Sequence, residues 1–359
     1  MMSPRLLFFT KYTQKGPSSR FRTYQYLDKF KDDYICLVFP FFDDEYIVRL
    51  YSGRKVSFIK ILYYYLRRTW NLLENAKKND IIFIEYELMP YFFAWFEAYL
   101  KLRSIKFIVD YDDAIFHNYD KSNHWLIRFL FRNKIPKVIQ YASHVITGSP
   151  YLTDFASKYN KKVSEIPTSI IYQKYEPVVS SVFNKNFVIG WIGSKSTSIN
   201  LLLIKEALTE FRRNHPDVVI QLVGVEKRIA DELDIIPTEW TEENELRLLN
   251  SFNVGIMPLI DNDFNKGKCG FKLIQYMACG KPTVSTPLEA NIKINRNKKN
   301  LYANTNQEWI HALEQIYNNR TYFAEVGEEN KKDVINYYSV EANAPIYKSI
   351  FRKLFTHVG

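Results

Sequence analysis

A chain of 359 residues is longer than one hydrophobic core ordinarily organises, so two domains are expected. Its 47% hydrophobic and 25% charged residues, with 26 Tyr and 26 Phe, argue against disorder, and three cysteines without a CxxC pair argue against a disulfide framework or a structural zinc. The formal charge of +10 is uneven: residues 1–180 hold 27 Lys and Arg against 18 Asp and Glu, leaving 22 against 21 for the rest, which points to an anionic partner for the first half.

The chain opens on "MMSPRLLFFTKY", whose four-residue apolar run is too short for a signal-peptide core, so a cytoplasmic protein is expected. Within it "PRLLFFT" reads as a strand, followed by the loop "KYTQKGPSSRFR" and a helical pattern from Tyr24 to Phe30. "DYICLVFPF", "DIIFIEYE", "IKFIVDYDD" and "SHVITGS" repeat the scheme. Continuous apolar strands alternating with helices predict a parallel sheet covered on both faces. "PYFFAWFEAYL" is the most membrane-like stretch, but it is too short to span a bilayer and carries Glu97. After a linker-like lapse at 175–186 the series resumes with "FVIGWIG", "VVIQLVG", "VGIMPL" and "PTVST", separated by helices that include "INLLLIKEALTEFRRN". A final helical segment from about Ser339 to His357 has no strand after it. The expected domains are 1–178, 179–338 and a terminal helix at 339–359 that packs back on the first domain. The fold class is α/β, two Rossmann-like domains facing each other across a cleft, with ligands held by the loops that follow the strands.

In the first domain, Gly16 and Pro17 shape the loop after the first strand, and Ser18, Ser19, Arg20 and Arg22 begin a helix. Arg20 is a candidate for a substrate phosphate or another substrate group, against the reading of an ordinary surface arginine. Glu87 ends the strand of "IIFIEYE". In "VDYDDAIFHN" the carboxylates Asp110, Asp112 and Asp113 crowd one strand end, and like charges so close raise at least one pKa. Asp112 and Asp113 are candidate catalytic groups that accept from or orient a substrate hydroxyl. His117 is a further cleft candidate, against a structural role. No metal is expected, because no Asp-x-Asp motif followed by a cation site is evident, and Asp110-x-Asp112 falls in the first domain.

Two basic and aromatic stretches stand out, "VSFIKILYYYLRRTWNLLENAKK" and "NHWLIRFLFRNKIPK". In the first, Ile59, Leu62, Leu66, Trp70 and Leu73 share one helical stripe. Such a stripe fits a membrane interface and fits a core-facing helix equally well.

In the second domain, "GWIGSKSTSIN" sets Gly193 as a tight turn with Ser194, Lys195, Ser196 and Thr197 at a helix start. Backbone N–H groups, hydroxyls and an ammonium converge there as they would around a diphosphate, although ordinary N-capping fits the same spacing. In "KGKCGFKLIQYMACGKPTVST", Lys266, Gly267, Lys268 and Gly270 precede a helix from Phe271 to Cys279 that Gly280 ends as a C-cap. Lys272 lies in its first turn, within reach of a phosphate, and Gln275 follows one turn later on nearly the same face, where it can bond a ribose or sugar hydroxyl.

The stretch "WTEENELRLLNSFNVGIMPLIDNDFNKGKCGFKLIQYMACGKPTVSTP" resembles the donor-binding region of GT-B glycosyltransferases, family 4, the retaining group that elongates bacterial surface glycans. The similarity runs in order through "GPSSRFRTYQYL", "IIFIEYELMPYFFAWFE", "KFIVDYDDAIF", "HVITGSPYLTDFA", "EIPTSI" and "IGWIGSKST". The family's acidic pair falls on Gly267 and Gln275, so neither carboxylate is present. An amide can still hold a ribose, though more weakly than a charged group. Lys195 and Lys272 stand in for the family's basic pair on the diphosphate.

The resemblance implies a second domain that binds a UDP or GDP sugar through Gly193 to Thr197, Lys268, Gly270, Phe271, Lys272 and Gln275. It implies a first domain that presents a glycan or lipid-linked acceptor, and transfer with retention and without cofactor or metal. Peripheral contact at the inner face of a bacterial inner membrane is expected through the basic first domain, in synthesis of surface polysaccharide or lipopolysaccharide, with no nucleic acid. Other readings are a sugar-nucleotide epimerase or phosphorylase of the same fold, and a non-catalytic basic scaffold for membrane or nucleic acid.

Overall fold

Strands that are apolar on both faces need cover on both, and that requirement builds each half of this protein. The computed structural model describes residues 4–175 and 186–356. The expected linker at 175–186, with the 178/179 boundary, falls almost wholly outside the described residues, as does His357. The chain divides into two units, one formed by Met1–Ser169, Gly267–Cys269 and Val340–Gly359, the other by Ile170–Lys266 and Gly270–Ser339.

The first unit holds β1 (Arg5–Phe9), β2 (Ile35–Val38), β3 (Ile81–Glu85), β4 (Lys106–Tyr111), β5 (His144–Thr147) and β6 (Val163–Glu165). They form one sheet in the order β2-β1-β3-β4-β5-β6, parallel throughout. Every residue of β3 is buried, as a central parallel strand requires. The chain leaves β1 toward β2 and then returns to pair β3 on the other side of β1, so the loops after β1 and β3 diverge. Such a reversal opens a crevice at the carboxyl edge.

The second unit repeats the logic with β7 (Phe187–Ile192), β8 (Val218–Val223), β9 (Val254–Met257), β10 (Thr283–Ser285) and β11 (Leu301–Tyr302). Their order is β11-β10-β9-β7-β8, again parallel, and the reversal lies between β7 and β9. These sheets make the α/β, two-domain Rossmann-like fold class the correct one.

Helix Phe271–Ala278 starts at Gly270, held at φ +62°, where an added Cβ would lie 2.2 Å from the Ile294 Cδ1. It ends in a Schellman motif: Gly280 at φ +67° donates its N–H to the Met277 carbonyl (2.9 Å), and Lys281 donates to that of Tyr276 (3.0 Å). The segment after Gly193 is a 3₁₀ helix, Lys195–Ile204, before the α-helix Lys205–Asn214. Its buried residues include Ser198, Leu201 and Ile204, a three-residue repeat that matches the 3₁₀ turn.

The terminal helix Val340–Thr356 packs on the first unit. Its Tyr347 ring lies 4.8 Å from that of Tyr26 and its Phe351 ring 5.2 Å from that of Phe30.

Candidate active site

In the first unit the carboxyl edge of β3 and β4 gathers an acidic cluster. Glu85, the last residue of β3, is buried, and its Oε2 accepts from the Ser19 hydroxyl at 2.6 Å and the Lys11 N–H at 3.1 Å. Burial, reinforced by the Asp112 and Asp110 charges, pushes its carboxyl up to about 8 against the opposing bond from Ser19. Tyr86 follows at φ +64°, a left-handed conformation that costs a non-glycine residue energy. That turn aims its hydroxyl at Ser18 (3.2 Å) and at Asp112, to which it donates. Burial first, then the Asp113 charge, raises the Asp112 carboxyl to about 6, while Arg22 and the Tyr86 hydroxyl oppose the rise.

Three of the other candidates have defined structural partners. Asp110 is locked to Arg22, whose Nε donates to Oδ2 at 2.9 Å, while Arg22 Nη1 donates to the Ile166 carbonyl at 2.8 Å. Glu87 accepts from the Tyr119 hydroxyl at 2.6 and 2.8 Å and pairs with the buried Lys134. The His117 ring lies 2.9 Å from both Asp120 Oδ1 and the Tyr151 hydroxyl. Arg20 is half-buried on helix Pro17–Arg22. At Gly16 an added Cβ would stand 2.3 Å from the Tyr12 Cβ, so glycine is required.

The tripeptide 267–269 belongs to this unit and completes the cluster. Lys268 Nζ lies 2.7 Å from Asp113 Oδ1, and the Cys269 thiol donates to the Asp112 carbonyl at 3.0 Å. Lys268, a donor-side candidate by sequence, is thus brought together with Asp113. Gly267 has a physical reason: a Cβ there would lie 2.5 Å from the Ala114 Cβ and 2.9 Å from its backbone nitrogen. A glutamate at 267 has no room in this geometry.

In the second unit two turns that lie far apart in sequence meet. A Cβ at Gly193 would stand 2.7 Å from the Lys272 Cε and 2.7 Å from the Trp191 ring, so the stem of Lys272 crosses directly over this turn. The Lys272 ammonium sits 5.4 Å from the Trp191 ring centroid, within cation–π range. Gly224, at φ +73°, backs the same turn, and a Cβ there would strike the Gly193 carbonyl at 2.3 Å.

Ser194 makes no side-chain cap to the backbone. Its hydroxyl lies instead 3.1 Å from that of Ser196 and 3.4 Å from that of Thr197, in an exposed cluster beside the exposed Lys195. Gly270 and Phe271 open the helix that carries Lys272. Gln275 is buried, with its amide donating to Glu245 Oε1 at 2.9 Å and to the Tyr175 hydroxyl at 3.2 Å. Glu245 also accepts from the Trp240 indole at 2.6 Å. The carboxylate missing at 275 is therefore present one hydrogen bond away, on helix Glu245–Ser251.

Sequence reasoning missed Glu85, Tyr86, Trp191 and Glu245. Only Glu85 carried a usable signal, as a lone acid ending a fully apolar strand run.

Residues 186–319 match the family described as Glycosyl transferases group 1. TuaH of Bacillus subtilis strain 168, provisionally named a teichuronic acid biosynthesis glycosyltransferase, is 24% identical over 253 residues, 64% of this chain. The match spans 61% of that relative's own length. Among solved structures, a sucrose-phosphate synthase from Thermosynechococcus elongatus superposes with a TM-score of 0.72 at 13% identity, covering 99% of this chain and 100% of that one. Anabaena HepE in complex with UDP and glucose gives 0.70 at 13% identity, covering 97% and 100%.

The fold is thus GT-B. The family match makes residues 186–319 similar to glycosyl transferases group 1.

Proposed function

We propose that this protein transfers a sugar from a nucleotide-diphosphate sugar to a glycan or lipid-linked glycan acceptor, with retention of configuration. The observation that carries the reading is the meeting of the Gly193 turn with Lys272. A bare glycine turn, a hydroxyl cluster and an ammonium at the start of an eight-residue helix suit the charge that builds on a departing diphosphate. Lys272, with Lys195, neutralises that charge. Gln275, held by Glu245, orients the ribose or the sugar.

On the acceptor side, the Asp112 carboxylate and the Tyr86 hydroxyl orient the attacking hydroxyl, with Lys268 holding Asp113 in place. The leaving phosphate takes the acceptor proton, so the chain needs no nucleophile of its own. HepE is bound to UDP and glucose, which favours a UDP sugar over a GDP sugar. The role we infer is in bacterial surface-polysaccharide or lipopolysaccharide synthesis, with the first unit on the acceptor side at the inner face of the membrane.

Thermal unfolding with UDP, GDP, ADP and TDP tests the donor. A ligand at 100 times its dissociation constant stabilises by about 2.7 kcal/mol, and Lys272→Ala should remove most of that shift. No response to any of the four, or an unchanged response in the variant, overturns the reading.

A further inference from the structure

Helix Phe58–Asn75 turns its apolar stripe to water. Tyr64, Arg68 and Leu72 are buried, whereas Ile59, Leu62, Leu66, Trp70 and Leu73 are exposed, the reverse of what a core-facing helix does. Helix Trp125–Phe131 has no buried residue at all. Trp70, Trp95 and Trp125 are 68%, 63% and 70% exposed, which is rare enough for tryptophan to need an explanation.

These elements are neighbours through the 90–95 segment. The Tyr65 hydroxyl donates to the Pro90 carbonyl, and the Phe93 ring lies 5.0 Å from that of Phe131 and 5.1 Å from that of Trp95. Beside them opens a pocket of about 290 Å³ whose lining includes Phe93, Trp95, Phe129, Leu130, Arg132 and Lys137.

The surrounding charge is mostly positive. Residues 52–79 carry seven Lys and Arg against Glu74 alone, and residues 121–137 carry five against no acid. Arg68 and Lys134 are buried, but Arg54, Lys55, Lys77, Lys78, Arg132 and Lys137 are exposed. A second copy of the chain would set these cations against themselves, since a two-fold contact pairs a patch with its own image. Protein interface cores are also poor in lysine. Tryptophan and apolar side chains ringed by cations suit the boundary of a bilayer with anionic headgroups.

We propose that this face docks on an anionic phospholipid membrane, with the pocket at Trp95 and Phe129 receiving a phosphate-bearing headgroup beside Arg132 and Lys137. The docking deepens the membrane-side reading above and rests on it only for its purpose; nucleotide binding is measured separately.

The test is co-sedimentation of the full chain with vesicles of phosphatidylcholine alone and of phosphatidylcholine mixed with phosphatidylglycerol. Affinity should be at least about tenfold higher for the anionic vesicles and fall with added salt. The pair Trp95→Ser and Phe129→Ser should lose binding to both. The pair Arg132→Gln and Lys137→Gln should lose only the anionic preference. A preserved UDP-induced thermal shift in these variants shows that they are folded with the donor site intact. Equal affinity for the two vesicles, binding unchanged in the serine pair, or a wild-type dimer that the serine pair dissociates would each overturn the proposal.

Discussion

Glu85 and Asp112 show how far a buried site departs from model chemistry. Because the folded Glu85 holds its proton up to about 8 and an unfolded glutamate releases it near 4.3, the native state binds the extra proton across that interval. Stability therefore falls as pH rises through it. Glu85→Gln keeps an acceptor for Ser19 and Lys11 and removes the titration, so the variant should be more stable than the parent at pH 8, by on the order of a few kcal/mol, and the two should converge near pH 4. Urea unfolding at both pH values measures this, and an unchanged slope would show that Glu85 is ionised in the native state.

Burial and the Asp113 charge push the Asp112 carboxyl up to about 6, and below that pH the protonated group is a weaker acceptor. Transfer should lose its acidic limb near that pH in Asp112→Asn, with kcat lowered about 10²-fold through lost positioning and nucleotide affinity retained. Gln275 gives a charge test. Gln275→Glu sets a second carboxylate against Glu245, across a contact now 2.9 Å long, and should weaken UDP binding. Adding Glu245→Gln should recover it, as a double-mutant cycle would show.

Elements carry their own constraints. The Gly280 turn at φ +67° ends helix Phe271–Ala278, and a Cβ there would stand 2.5 Å from the Lys331 Cε. Gly280→Ala should cost about 1–2 kcal/mol, read as a lower urea midpoint at constant slope. Gly267→Glu restores the family's acidic residue in composition only. It drives a side chain into Ala114 and should destabilise by about 1–3 kcal/mol without a gain in transfer. The 3₁₀ segment Lys195–Ile204 and the short strands β6 and β11 escaped the sequence reading for related reasons. A three-residue burial repeat in a leucine-rich run looks much like an α-helical one. Edge strands of three and two residues, none fully buried, leave no apolar run to detect.

At the level of the whole chain, the terminal helix is part of the first unit's core rather than an appendage. Tyr347 is buried against Tyr26 and against Phe83 of β3, so Tyr347→Ala should cost about 3–5 kcal/mol, and its unfolding should be followed by signals from the first unit.

The alternation of strand and helix, the parallel sheets, the glycine turns and the place of Lys272 in the first turn of its helix were all legible in the chain by itself, because period and residue type are local properties. The sequence left the stripe of helix Phe58–Asn75 open between core and surface, and could not supply the pairing of Lys268 with Asp113 or the carboxylate that Glu245 lends to Gln275. Those were settled by tertiary structure alone, since which face is buried and which charge finds a partner depends on neighbours brought from distant positions, and no local pattern encodes them.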